Sequence, residues 1–323
     1  MTTRGLAGAT LVHHPSPRTV FMARTLKFAG ALALAAAAAC SSDLTAPASS
    51  APDVALAGSP SSPASSSNNV VVTESDVSRQ AEDTPPLRSS VFFSRPSTST
   101  GAFVTGPGSP PLGVGSFQMG TVLATDKGTL FNYNHVGTPL TDITAISYST
   151  YRDPASTAPA VQLPSVNIEV DFNGPAVAGG FTSLVFEPVY NPTQGAIQSG
   201  VWQTWNGIPG IWWSTRPING CATPPCYQPW SEIVANNPNA TILGGFGVNQ
   251  GSGSGGLVAA TDALTIRHNG KTWVYNFEPF RTPLTKDDCK NGGWQTLTAA
   301  DGSSFKNQGQ CVSYVNHQNH SSD

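Results

Sequence analysis

All seven tryptophans lie between Trp202 and Trp294, and five of them (Trp202, Trp205, Trp212, Trp213 and Trp230) fall within 29 residues. An indole offers a flat apolar face on which the C–H face of a sugar ring can stack, while its N–H still donates a hydrogen bond. Exposed, roughly coplanar aromatics are what a glycan-binding surface requires. Trp202, Trp205, Trp212 and Trp213, with Tyr151, are therefore the candidate ligand-binding residues. The competing reading is core packing, because Trp buries a large area. In an extended strand the adjacent pair Trp212-Trp213 must send one ring inward and the other outward.

Two carboxylates share a setting. Glu187 and Glu278 each occupy a Phe-Glu-Pro triplet, Phe186–Pro188 and Phe277–Pro279, at the end of an apolar run. A glycosidase needs two carboxyl groups about 5 to 10 Å apart, so this pair is the catalytic candidate. A strand-end Glu before Pro is more often solvated or hydrogen-bonded to a loop. Calcium takes six to eight oxygen ligands, and Asp126, Asp142 and Glu278 are the candidates for a structural ion. The turn Asp171-Phe172-Asn173-Gly174-Pro175 lacks the third acid of a calcium loop.

Other motifs fail on their context. Gly251–Gly256 (GSGSGG) satisfies G-x-G-x-x-G formally, but no strand–turn–helix unit surrounds it, so it reads as a Gly/Ser loop. There is no G-x-S-x-G elbow and no H-E-x-x-H. His135 and His268 are isolated along the chain. His317 and His320 have metal-like spacing but fall in a polar tail.

The elements that must position these groups are strands. The chain has 323 residues, 39% apolar, 9% aromatic and only 11% charged, with 32 Gly and 27 Pro. That composition excludes a disordered chain and a coiled coil. A net charge of −3 carries no basic excess, so no nucleic-acid partner is expected. Ser116–Leu123, Ile143–Tyr151, Val166–Phe172, Phe181–Val189, Thr261–His268 and Thr272–Phe280 alternate with period two between turn residues, the signature of strands. The reading is an all-β fold, a two-sheet jelly-roll-like sandwich over residues 101–284. Trp230–Asn236 is the sole helical window inside it, closed by Asn237-Pro238.

The N-terminal segment reads as an export signal. Phe28–Ala39 is apolar or small and follows Arg24 and Lys27. It is too short to span a bilayer of about 30 Å. Met22 stands where such a signal begins, which makes residues 1–39 an upstream extension plus signal peptide. Ala37-Ala38-Ala39-Cys40-Ser41 resembles a bacterial lipoprotein signal, in which the cysteine becomes the acylated N-terminus. Leu is usual where Ala37 stands, and ordinary cleavage after an Ala is the alternative. In Ser41–Val70, 20 of 30 residues are Ser, Pro or Ala, so residues 40–100 read as a lipidated Cys40 and a disordered tether. The partner implied is the membrane, reached through the lipid.

Cysteine parity agrees. Cys221, Cys226, Cys289 and Cys311 make an even set, and Cys40 is the odd one out. Thr285–Gly292 and Ser304–Val315 read as two short helices, with Phe305, Val312 and Val315 near one face of the second. Cys289 on the first and Cys311 on the second would staple a helical hairpin over residues 285–316, with 317–323 a disordered tail. Cys221 and Cys226 close a tight loop stiffened by Pro224-Pro225.

The C-terminal stretches Cys289–Trp294 (CKNGGW) and Phe305–Val315 (FKNQGQCVSYV) resemble a module at the ends of many bacterial secreted proteins and lipoproteins. Asp142–Tyr151, Trp212-Trp213-Ser214, Asn239–Gly247 and Asn276–Pro279 are similar to the main domain of the same family. The likeness covers most of residues 110–315. It implies a jelly-roll sandwich similar to galactose-binding and other carbohydrate-binding modules, and no settled activity.

Three functions follow as expectations. One is a cell-envelope lipoprotein displaying a non-catalytic glycan-binding module without a cofactor, a structural calcium aside. The second is a polysaccharide hydrolase or lyase using Glu187 and Glu278. The third is a purely structural envelope module with every aromatic in its core.

Overall fold

The computed structural model describes residues 66–80, 88–95 and 98–320. In chain order the strands are β1 (Ser66–Val72), β2 (Val77–Gln80), β3 (Ser90–Arg95), β4 (Thr100–Thr105), β5 (Gly115–Thr121), β6 (Lys127–Asn132), β7 (Ala145–Arg152) and β8 (Ser165–Asp171). They continue as β9 (Phe181–Phe186), β10 (Trp202–Asn206), β11 (Ile211–Ser214), β12 (Gln228–Pro229), β13 (Thr241–Gln250), β14 (Leu257–His268) and β15 (Lys271–Phe277). The helices are α1 (Trp230–Asn236) and α2 (Gln308–His320).

These strands form two sheets packed as a sandwich. The second sheet runs β12-β11-β9-β8-β13-β6-β3-β2. The first is built around β14, which pairs with β7 along one side, and β7 in turn pairs with β10. On its other side β14 forks: Leu257–Thr261 pair with β5 and Leu264–His268 with β15. β4 and β1 complete these two branches.

Alternation sets the core. Val166, Ile168 and Val170 on β8, Leu184 and Phe186 on β9, and Ile242, Phe246 and Val248 on β13 face inward from the second sheet. They meet Phe117, Met119, Ile146, Tyr148, Leu264 and Ile266 of the first. Rings cross the interface edge to face, Tyr148 to Phe186 at 6.2 Å and Phe92 to Phe117 at 5.5 Å. Residues between the inward ones point outward and include Ser165, Asn167, Ser183, Thr129 and Asn249. That is how a chain with 11% charged residues wets its surface.

Three features differ from the sequence reading. The sandwich starts well before residue 101, because β1, β2 and β3 lie within the stretch assigned to the tether. β1 is an edge strand lying parallel to β15, with Ser67, Asn68 and Asn69 exposed. Main-chain pairing at an edge needs few apolar side chains, so composition does not reveal it. Cys40 lies outside the described residues.

At the other end, Thr285–Gly292 is a run of turns rather than a helix. The Asp288 carboxylate accepts the N–H groups of Leu284 and Thr285 at 2.9 and 2.7 Å, which starts a turn, but Asn291 and Gly292 take left-handed backbone and stop it before a helix develops. α2 begins at Gln308, later than expected, and runs on through His317 to His320, so it takes in part of the stretch read as tail. The two disulfides pair as expected, Cys221–Cys226 and Cys289–Cys311. Cys289 and Cys311 sit with Leu297, Phe305 and Val315 in a small core of their own.

Among the described residues no helix is long and apolar enough to cross a membrane. The disulfides are consistent with an oxidising, extracellular setting.

Candidate functional site

The four candidate tryptophans do not form one platform. Trp205 and Trp212 are fully buried. The Trp205 indole donates to Thr150 Oγ1 and that of Trp212 to the Gly207 carbonyl, both at 2.8 Å, so each ring is satisfied within the core. Trp212 also packs against Phe186 and Trp230. Trp202 and Trp213 are half-buried and project from the outer faces of different sheets, three positions from inward Trp205 and one from inward Trp212. Trp202 lies beside its cross-strand partner Tyr151, ring centres 5.7 Å apart, and donates to the Pro107 carbonyl at 2.8 Å.

Trp213 has a different setting. It faces Val185 of β9 in register, and its Nε1 donates to Glu187 Oε2 at 3.1 Å. Three hollows of about 250, 310 and 210 Å³ meet around this pair. The first runs across the outer face of the second sheet, past Ser165 and Asn167 of β8 and Asn249 of β13, to Lys127 and Arg95. The second is walled by Tyr190, Tyr227 and the Pro224-Pro225 turn of the disulfide loop. The third lies under Glu187 and Tyr190, closed by Leu163 and the Gly/Ser loop at Ser252 and Ser254.

This groove is polar on its floor and aromatic at one end. Tyr190 and Tyr227 are both exposed, with ring centres 4.4 Å apart. The floor is pre-ordered: Ser165 Oγ donates to Asn167 Oδ1 at 2.8 Å, and Thr129 Oγ1 to Asn249 Oδ1 at 2.9 Å. Burial pushes the Glu187 carboxyl above its ordinary range, opposed by the Trp213 hydrogen bond. Tyr190, Tyr227 and the hydroxyl–amide floor were not singled out from sequence. Their only local signals are strand alternation and, for Tyr227, its place beside Cys226.

Glu278 belongs elsewhere. It follows β15 in the first sheet, is buried, and accepts the Val114 N–H at 3.1 Å. Glu187 and Glu278 thus follow strands of different sheets, each with its own partner, and Glu278 does not line the hollows around Glu187. The calcium candidates are dispersed as well. Asp126 is buried and accepts from Thr98 Oγ1, Val122 N and Leu123 N at 2.6, 2.8 and 2.9 Å, which makes it the cap of a turn. Asp142 ends a short 3-10 turn, Leu140–Asp142. Among the described residues no group of three or more His, Cys, Asp or Glu side chains is placed to hold a metal ion, His317 included.

Two buried polar clusters were invisible along the chain. His135 and His268, 133 positions apart, are hydrogen-bonded at 3.0 Å between Nδ1 and Nε2, and His135 Nε2 meets the Tyr275 hydroxyl at 2.7 Å. Tyr275 donates onward to Asn132 Oδ1 at 3.0 Å. That direction makes Nε2 of His135 the donor to Tyr275; with burial keeping His135 neutral, its Nδ1 accepts from His268 Nε2. Burial and the neighbouring His268 hold the His135 pKa down at about 4. The second cluster is at the fork in β14. There the Asp262 carboxylate accepts the N–H groups of Leu112 and Phe277, both at 3.0 Å.

Comparison of the chain with protein-family models, curated proteins and solved structures gives no match.

Proposed function

We propose that this protein is an exported cell-envelope lipoprotein whose β-sandwich binds extracellular glycan without chemistry, through the groove on the outer face of the second sheet. The observation that carries the reading is the Trp213–Glu187 pair at the meeting of three hollows. A half-buried indole held by a carboxylate is a fixed stacking face. Beside it Tyr190 and Tyr227 extend the apolar surface, and Ser165, Asn167 and Asn249 offer donors and acceptors to sugar hydroxyls.

A non-catalytic role fits the acid count. Among the described residues Glu187 is the one acid lining these hollows, whereas glycoside hydrolysis by the usual route needs two. Lipidation at Cys40 and the family resemblance of CKNGGW and FKNQGQCVSYV belong to the same reading: a tethered domain displays its groove away from the membrane.

The test is affinity electrophoresis of the purified protein through gels carrying plant and bacterial polysaccharides, with reducing-end release measured in parallel. Retardation by at least one polymer, lost in Trp213→Ala and without new reducing ends, is the expected result. Absence of retardation by every polymer overturns the proposal in favour of a structural module. Release of reducing ends abolished by Glu187→Gln overturns it in favour of a hydrolase.

A further inference from the structure

The aromatic end of the groove is also its acidic end. Trp213, Tyr190 and Glu187 each line two of the three hollows, so the place where the hollows meet is bounded by two rings and a carboxylate. Tyr227 closes the same side, its ring tilted 50° to that of Tyr190 with centres 4.4 Å apart. The backbone holds these groups in place. Glu187 leads into the short 3-10 turn Pro188–Tyr190, in which the Tyr190 N–H donates to the Glu187 carbonyl at 3.1 Å. Asn191 ties that turn to β11: its Nδ2 donates to the Glu187 and Ile211 carbonyls at 2.9 and 3.1 Å, and its Oδ1 accepts the Ile211 N–H at 2.7 Å. Tyr227 directly follows the Cys221–Cys226 bridge. Among the described residues lining the second and third hollows none is Lys, Arg or His. Arg95 and Lys127 stand at the far end of the first, beyond β9, β8 and β13.

The face of an aromatic ring is its negative side, so rings gathered beside a carboxylate favour a cation between them. Resting on the glycan-binding reading above, we infer that the groove selects an amino-sugar glycan, one ring stacking on Trp213 while its free ammonium sits against Tyr190, Tyr227 and Glu187. The carboxylate serves both groups: Glu187 Oε2 takes the indole N–H, and a carboxylate has further lone pairs for an ammonium. Acetylation of the sugar nitrogen removes the charge and with it both attractions. The Tyr190 hydroxyl already feels the same field. The Tyr227 hydroxyl beside it, burial and the Glu187 charge together push its pKa up to about 12.

A chain with net negative charge attracts any polycation, so the test must separate ring recognition from charge. The full-length protein is titrated with the glucosamine hexamer, with its fully N-acetylated counterpart and with hexalysine, in buffer that keeps the amines protonated. The inference expects affinity for the glucosamine hexamer at least tenfold above the acetylated one. That preference should vanish in Glu187→Gln and in the double variant Tyr190→Leu, Tyr227→Leu. The double variant should keep its melting temperature, because both tyrosines are exposed. Equal or tighter binding of the acetylated hexamer overturns the inference and leaves a neutral-glycan groove in place. A preference that survives the double variant overturns it in favour of a plain ion pair, and one that survives Glu187→Gln places the ammonium elsewhere and overturns it as well. Hexalysine bound as tightly as the glucosamine hexamer overturns it in favour of a site for cationic peptide. No binding of either hexamer overturns it too, and the gel survey of other polysaccharides then decides whether the glycan reading itself stands.

Discussion

Trp213 gives its indole N–H to the Glu187 carboxylate at 3.1 Å, joining β11 to the end of β9 on the outer face of the second sheet. Its neighbour Trp212 points the other way and is completely buried. Two adjacent tryptophans therefore have opposite settings, one in the core and one in the groove proposed to bind glycan.

Mutation separates them. Trp212→Ala opens a cavity against Phe186 and Trp230 and is expected to cost about 3–5 kcal/mol of stability. Trp213→Ala is expected to abolish glycan retention while shifting the unfolding midpoint little. Trp202→Ala, on the other sheet, leaves retention intact. Denaturant unfolding and affinity electrophoresis on the three variants check all of this. Loss of binding in Trp202→Ala alone would move the site to the Trp202–Tyr151 face.

Two buried groups, Asp262 and His135, push stability in opposite senses between about pH 4 and 7. Burial raises the Asp262 pKa to about 7, opposed by the N–H donors it receives and assisted by the nearby Glu278. A folded-state value above the unfolded one means that the native state holds the proton more tightly. Stability from this group is therefore full below about pH 4 and falls as pH rises through about 7. Asp262→Asn should remove that trend, costing most at pH 4 and least at pH 8, where the wild type holds a buried charge that the neutral amide does not carry. Urea midpoints from pH 4 to 8 test it. An unchanged slope would show that Asp262 does not titrate in this range.

His135 works in reverse. Its pKa is held near 4, below the ordinary value of 6.5, so the unfolded chain takes up a proton that the folded ring refuses. Stability is lost as pH falls from about 6.5 toward 4. His268 is lowered by burial as well, against the pull of Asp142, and adds in the same direction. His135→Gln should lessen the acid-side loss and leave the Asp262 trend dominant. Wild-type and variant curves that run parallel between pH 4 and 6.5 would refute the assignment.

What was legible in the sequence was local. Trp230–Asn236 is the helix read from its Asn-Pro stop, and both cysteine pairs are as spacing placed them. Period-two alternation located β5, β7, β8, β9 and β15, and required Trp212 and Trp213 to face opposite ways. It could not say which faced in, because that depends on β9 pairing with β11 and on which face of the sheet meets the partner sheet. His135, His268 and Tyr275 meet only through the first sheet and the loop after β6, so no window along the chain contains them. β1 was missed because an edge strand is held by its backbone. The Thr285–Gly292 turns were missed because the segment carries a helix-start cap at Thr285 and Asp288, and its early stop at left-handed Asn291 and Gly292 is a backbone choice that periodicity does not see.

The Cys289–Cys311 bridge yields the last prediction. It closes a loop of 22 residues around a small core of Leu297, Phe305 and Val315. So few apolar side chains cannot offset the entropy of ordering this segment by themselves. A loop of that size contributes about 3 kcal/mol by restricting the unfolded chain. The double variant Cys289→Ser, Cys311→Ser should therefore release α2 and its loop, seen as fast amide exchange from Thr285 to His317. The sandwich core is a separate cluster, so amides of β8, β9 and β13 should stay protected and retention through Trp213 should persist. Exchange that accelerates throughout the sandwich would show instead that the C-terminal segment is part of the same cooperative unit.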